Sequence, residues 1–146
     1  MKIDAVIEIP KGNNRRWHLN YAKTAIEDFG PIKEKIPVND GVMPVAYGYL
    51  EGTKNESEKD EIDVLVFSNK KFEVGDRVNV RIFGCIKRSD GDDKILAHDD
   101  TTSFESWEDV SPKDKKLILE YFGYNHHIES VEEVAIAEAY VNKSLI

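Results

Sequence analysis

Apolar and polar residues alternate along most of the first hundred positions, and the period then changes. Ile3, Ala5, Ile7 and Ile9 fall on one face of a predicted first strand, with Asp4, Val6 and Glu8 on the other. Pro10 stops that strand, and Lys11-Gly12-Asn13-Asn14 reads as a turn. Residues 15–21 set Trp17 and Leu19 against Arg16 and His18 and predict a returning strand. Residues 31–37 form a short, irregular, basic stretch between two prolines. Another strand follows over 45–50, in which Gly48 lets something approach the backbone closely. Residues 51–61 are polar and acid-rich, a loop, and 62–67 is a strong strand. Val74-Gly75-Asp76 is a turn, after which Val78, Val80, Ile82, Gly84 and Ile86 line one face of a long strand. Phe83 and Cys85 on its other face imply burial on both sides near that end. Asp90-Gly91 predicts a hairpin, with 94–98 as the strand coming back.

Beyond residue 100 the apolar spacing becomes helical. Ser111-Pro112 is an N-cap followed by proline at the first helical position. Leu117, Ile118, Tyr121 and Phe122 make the apolar face, and Gly123 ends that helix. Ser130 with Glu133 reads as a capping box for a last helix, whose stripe is Val134, Ala137 and Val141. Many short strands followed by terminal helices predict a mainly β (α+β) fold, a small barrel with two C-terminal helices packed outside.

The length of 146 residues fits a single domain over 1–146. The 20 Lys and Arg against 28 Asp and Glu give a net charge of −8, which argues against a backbone-driven nucleic-acid binder. An anionic substrate stays open, because metal ions invert the local sign. One cysteine excludes an internal disulfide. No apolar run approaches the roughly 18 residues of a membrane span, and the first residues carry no secretory pattern, so a cytoplasmic protein is expected.

The carboxylates carry the candidate chemistry. Glu58, Asp60 and Asp63 lie at the entry to one predicted strand, Asp90, Asp92 and Asp93 on a hairpin between two others, and Glu8 near the end of the first. A closed barrel gathers strand ends at its mouth, where these acids could converge. Converging carboxylates repel unless protonated or neutralised, and hard oxygen ligands of this kind suit Mg²⁺ or Mn²⁺. Acidic loops are also common as solvated surface, and Asp90-Gly91 is explained by hairpin geometry alone. Arg15, Arg16, Lys35 and Lys94, with Tyr47 and Tyr124 as donors, are the candidate phosphate ligands. Cys85 reads as a small buried hydrophobe, and no Gly-rich phosphate loop, nucleophile elbow or zinc-helix motif is present.

The motifs resemble a known family in sequence order. Val6-Ile7-Glu8-Ile9-Pro10-Lys11-Gly12 is similar to the opening of soluble (family I) inorganic pyrophosphatases. Tyr47-Gly48-Tyr49 resembles the family's Y-G-[FY] strand, and Asp60-Glu61-Ile62-Asp63-Val64-Leu65-Val66 its acidic signature. Asp90 with Asp92-Asp93-Lys94-Ile95 resembles its hairpin, and residues 117–124 the helix leading to its last tyrosine. The resemblance implies an OB-like five-stranded barrel with helices outside and Mg²⁺-dependent hydrolysis of pyrophosphate to two phosphates. It makes Asp60 the acid that helps deprotonate the attacking water. It makes Glu58, Asp63, Asp90 and Asp92 metal ligands and Glu8 an outer-site acid. Arg16, Lys35, Tyr47, Lys94 and Tyr124 become phosphate contacts, and a homo-oligomer is implied, with pyrophosphate as the small-molecule partner and neither nucleic acid nor membrane.

Six positions depart from the family pattern. Arg16 and Lys35 exchange the expected Lys and Arg, His18 replaces a Glu, Met43 a Tyr, Glu58 an Asp, and Asn125 the Lys after the last tyrosine. Arg and Lys are not equivalent where bidentate phosphate contact is needed. Two further readings follow from these departures: a family member altered toward another phosphoanhydride, or a barrel that binds metal or a partner without catalysis.

Overall fold

A computed structural model describes residues 1–56 and 60–146 of the chain. Among the described residues there are eight strands: β1 (Lys2–Ile9), β2 (Arg15–Leu19), β3 (Ile26–Pro31), β4 (Ala46–Leu50), β5 (Asp63–Phe67), β6 (Arg77–Arg88), β7 (Lys94–His98) and β8 (Ile128–Glu133). Helices α1 (Pro112–Phe122) and α2 (Val134–Ser144) flank β8 in the chain.

The strands β1, β4, β5, β7 and β6 neighbour one another in that order, and β6 returns to β1, which closes the barrel. The β5–β7 pair is parallel; the other pairs around the barrel are antiparallel. The fold expected from the residues is therefore present. Its interior is filled from all five strands, by Ala5, Ile7, Leu50, Val64, Val66, Val80, Ile82, Ile95 and Ala97 among others. Ala137 and Val141 of α2 join that interior cluster, as the predicted stripe requires, while Val134 is exposed. On the outer wall, Leu65, Phe67, Phe83, Ile86 and Leu96 pack with Ile118, Tyr121 and Phe122 of α1. Alternation along β5 explains this split: Val64 and Val66 point inward, Leu65 and Phe67 outward. The N-cap of α1 is as expected, with the Ser111 side chain accepting from the Asp114 N–H.

Two bulges correct the expected strand faces. The β1–β4 register shifts between Ile7 and Ile9, so Ile9 leaves the face of Ile3, Ala5 and Ile7 and joins the outer cluster. The β6–β7 register shifts between Ile82 and Gly84. One extra residue reverses the alternation beyond it. Cys85 therefore continues the interior face of Val78, Val80 and Ile82, and Ile86 lies outside with Phe83.

Three further expectations are revised. Residues 15–19 do not return along β1; they form β2, which pairs with β3, a strand that the apolar pattern did not mark, in a separate two-stranded sheet. Part of the basic stretch is a short 3-10 turn, Ile32–Glu34. Ser130 and Glu133 are not a capping box; both belong to β8, and α2 begins on Glu133 with no side-chain cap. β1 pairs only with residues 77–81 of β6, so the backbone of the second half of β6 would be unpaired along that edge. Residues 128–133 satisfy it by pairing with 84–88. No helix among the described residues is long and apolar enough to cross a membrane.

Candidate active site

The candidate side chains start from the register of two strands. Asp63 opens β5 and Lys94 opens β7, and they are direct partners on the parallel pair. Both share the outward parity of Leu65 and Leu96, so both stand on the outer wall of the barrel. The acids thus gather at strand ends, as expected, yet the site lies on the barrel's flank and not in its mouth.

Lys94 is the hub. Its Nζ donates to Asp63 Oδ2 at 2.7 Å, to Asp92 Oδ2 at 3.0 Å and to the Tyr47 hydroxyl at 3.0 Å. Its ammonium is buried, and two carboxylates keep it charged. Burial opposes ionisation of Asp63, but the Lys94 charge and hydrogen bonds from Asp92, Lys94 and Tyr47 outweigh it and hold that carboxyl below its usual range. Burial and the nearby Asp63 charge win at Asp92, whose carboxyl is raised despite Lys94. One like-charged pair thus divides into an acid that ionises easily and one that resists. Burial, with the charges of Asp63, Asp92 and Glu8, raises the Tyr47 hydroxyl well above its usual value, so Tyr47 remains a neutral donor.

The hairpin carries a second centre. Arg88, the last residue of β6, grips Asp90 through Nε at 3.1 Å and Nη2 at 2.5 Å. That grip, working against burial, brings the Asp90 carboxyl down to about 2. His126 Nδ1 also lies 3.2 Å from Asp90 Oδ2.

A cavity of about 240 Å³ opens beside these groups, between the outer wall, β2, the Ile32–Glu34 turn and the end of α1. Arg16, Lys35, Tyr47, Arg88, Asp92 and Lys94 line it on the polar side. Met43 and Phe122 contribute apolar wall, and the Phe122 ring centroid is 5.5 Å from that of Tyr47. A larger cavity of about 760 Å³ sits between Lys11, the segment 66–73 and α1. None of the predicted site residues among the described ones lines it, whereas Arg16, Lys35, Tyr47, Asp92 and Lys94 line the smaller cavity.

Not every predicted residue reaches that cavity wall. Asp63 joins through Lys94, and Asp90 through Arg88. Glu8 is buried beside it; its Oε2 accepts the Leu19 N–H at 2.7 Å and lies 3.8 Å from His18 Nδ1. Asp60 stands at the loop before β5 with its side chain 48% exposed, and Lys23 from the β2–β3 turn contacts it and Glu61. Tyr124 is half-buried outside the cavity lining. Glu58 lies outside the described residues. Cys85 is buried in the barrel, and burial pushes its thiol up to about 12, which suits packing and not nucleophilic attack.

Sequence reasoning missed Arg88 and Lys23, and it read His126 with His127 as a loop between helices and not as a site. Arg88 had a readable signal: a cation two positions before the hairpin Asp, at the end of a strand whose residues 82–86 are all buried. Lys23 had none, because its contact with Asp60 depends on where the β2–β3 turn folds.

Comparison with known proteins decides the family. Residues 5–145 match the family described as "Inorganic pyrophosphatase". The chain belongs to the inorganic pyrophosphatase family. An inorganic pyrophosphatase from Ureaplasma parvum is 35% identical over 100 residues, covering 66% of this chain and 52% of that protein. One from Leifsonia xyli is 29% identical over 140 residues, covering 91% of this chain and 82% of the relative. Among solved structures, an inorganic pyrophosphatase from Ehrlichia chaffeensis superposes with a TM-score of 0.86 at 21% identity, covering 99% of this chain and 93% of that one. At that identity the likeness speaks for the OB-like barrel fold.

Proposed function

We infer that this chain hydrolyses pyrophosphate to two phosphates with water as the nucleophile. The observation that carries the reading is the Asp63–Lys94–Asp92 cluster, set beside a cavity lined with Arg16, Lys35 and Tyr47, in a chain of this family.

The donor chemistry fits a hard divalent cation. Asp63, Asp92 and Asp90 offer only carboxylate oxygens, and Asp63 and Asp92 are close enough to share one ammonium. Among the described residues no three acids converge as a ready-made cage. We assign Asp63, Asp90 and Asp92 as the residues that would hold Mg²⁺ (Mn²⁺ has the same ligand preference), with Glu8 as an outer acid; Glu58, the remaining acid of the family resemblance, lies outside the described residues. Such a cation supplies charge against the phosphate oxygens and lowers the pKa of water.

The chain's own side chains do the rest. Arg16 and Lys35 face the cavity from β2 and the 3-10 segment, and Lys94 and Tyr47 from the barrel wall. A substrate between them has donors on opposite sides, which offsets charge on the electrophilic and leaving phosphates. Asp60 orients the attacking water and accepts its proton. It is available for this because, among the described residues, its ion pair is with the exposed Lys23, and such pairs contribute little.

The deciding experiment is phosphate release from pyrophosphate by the purified chain, with and without Mg²⁺, beside Asp60→Asn. Metal-dependent release that the variant loses is expected. No release with either Mg²⁺ or Mn²⁺, from a chain shown to be folded, would overturn the reading.

A further inference from the structure

Arg88 is the cation of this pocket that the sequence motifs did not single out. Its side chain is only 8% exposed, although it lines the cavity beside Lys94. A guanidinium withdrawn this far from water needs its donors matched. Nε and Nη2 form a side-on fork with Asp90, at 3.1 and 2.5 Å. Nη1 donates to the Phe122 carbonyl at 3.2 Å, at the end of α1. The Arg88 main chain is fixed as well, because its N–H donates to Asp93 Oδ1 at 2.8 Å. A guanidinium has five N–H donors, and these side-chain contacts use three. Among the described residues, one hydrogen on each terminal nitrogen is left over. Asp92 Oδ2, at 3.6 Å from Nη2, is too far to accept one.

We propose that Arg88 binds a phosphate group of the substrate through the remaining hydrogens of Nη1 and Nη2. The proposal rests on the pyrophosphatase reading and adds a substrate ligand to it. The guanidinium is held on three sides, so it loses little freedom when a phosphate arrives. It also supplies charge where the pocket lacks it. Asn125, in the turn after α1, is exposed, has a φ of 59° and does not line the cavity. Arg88 reaches that same helix end from the hairpin, through the Phe122 carbonyl. A cation absent from one side of the helix end is thus present on the other. The competing role is purely structural: Arg88 tying the hairpin to α1.

The test compares the parent chain with Arg88→Met and Arg88→Lys. Inorganic phosphate is titrated into each by calorimetry, in chelator and again with Mg²⁺, and KM and kcat are measured on pyrophosphate. Arg88→Met is expected to weaken phosphate binding and raise KM by ~10–100-fold, with a smaller change in kcat. Arg88→Lys restores charge without the fork and recovers part of the affinity. A folded Arg88→Met variant whose phosphate affinity and KM stay within about twofold of the parent overturns the proposal, whatever its thermal stability. If Arg88→Met does not fold, Arg88→Lys decides: a loss of ~5-fold or more in phosphate affinity supports the contact, and a smaller one overturns it. A parent chain that binds phosphate without hydrolysing pyrophosphate would overturn the function above, while the phosphate titration would still decide this contact.

Discussion

Asp63 and Lys94 are register partners on the one parallel strand pair of the barrel, and their side chains close to 2.7 Å on its outer wall. The fold therefore sets the central charge pair of the site, without help from any loop. Asp92 then reaches the same ammonium from the hairpin. Removing Lys94 leaves two half-buried carboxylates facing each other. Without divalent metal, Lys94→Met is expected to lose about 3–5 kcal/mol of stability at pH 8. The sign of the pH effect follows from the acids. Without their counter-ion, the folded-state pKa of the pair rises above the unfolded value, so the loss grows as pH rises past the ordinary carboxyl range. Urea unfolding at pH 5 and pH 8 in chelator checks this. Equal losses at both values would show that Lys94 does not hold the pair ionised.

Lys23 contacts Asp60 and Glu61 across the top of the site, with both partners of the Asp60 pair well exposed. Exposed pairs contribute little because solvent screens them. Lys23→Ala is therefore expected to leave the thermal midpoint within a degree or two and pyrophosphate turnover within about threefold of the parent. Asp60→Asn is expected to leave the midpoint equally unmoved while reducing turnover by ~10²–10⁴-fold. Turnover lost in both variants would mean that Lys23 is part of the reaction and not a surface partner of Asp60.

Gly48 of β4 pairs with Ile7 of β1, beside the register shift of that antiparallel pair. A Cβ built there would stand 1.8 Å from the Val6 carbonyl oxygen, which is backbone and cannot move aside. Gly48→Ala is expected to cost about 4 kcal/mol or more, enough to unfold a domain of ordinary stability. Soluble yield and circular dichroism report it. A folded variant with a midpoint near the parent's would show that β1 and β4 separate easily.

These positions also show what the sequence could convey. Gly48 was readable because a glycine inside a strand has few other reasons. Asp63 and Lys94 were readable from motif order and from strand starts. The bulges next to Ile9 and at Phe83 were not, since neither requires a special residue type and alternation continues plausibly through both. β8 was not readable either. Its Ser130 and Glu133 suit a helix start locally, and only the unpaired half of β6 draws that segment into the sheet. Placing the site on the barrel flank needed the outward parity of Asp63 and Lys94 in three dimensions. A list of strand-end acids does not contain it.

Glu8 supplies the last prediction. It is 1% exposed, and burial raises its carboxyl to about 7 against the pull of His18 and the Leu19 N–H, with Asp63 and Glu61 pushing further upward. An unfolded chain releases that proton near pH 4 to 5. Between there and about 7, the folded protein holds a proton that the unfolded chain has lost. Stability therefore falls as pH rises through this window and levels off above it. Glu8→Gln keeps an oxygen to accept the Leu19 N–H and removes the charge. In chelator it is expected to be more stable than the parent at pH 8, by about 1–3 kcal/mol, and to match it near pH 5. Denaturant midpoints at the two pH values measure the difference. If the advantage is the same at both, Glu8 is ionised in the folded protein throughout, and the adjacent His18 charge outweighs burial.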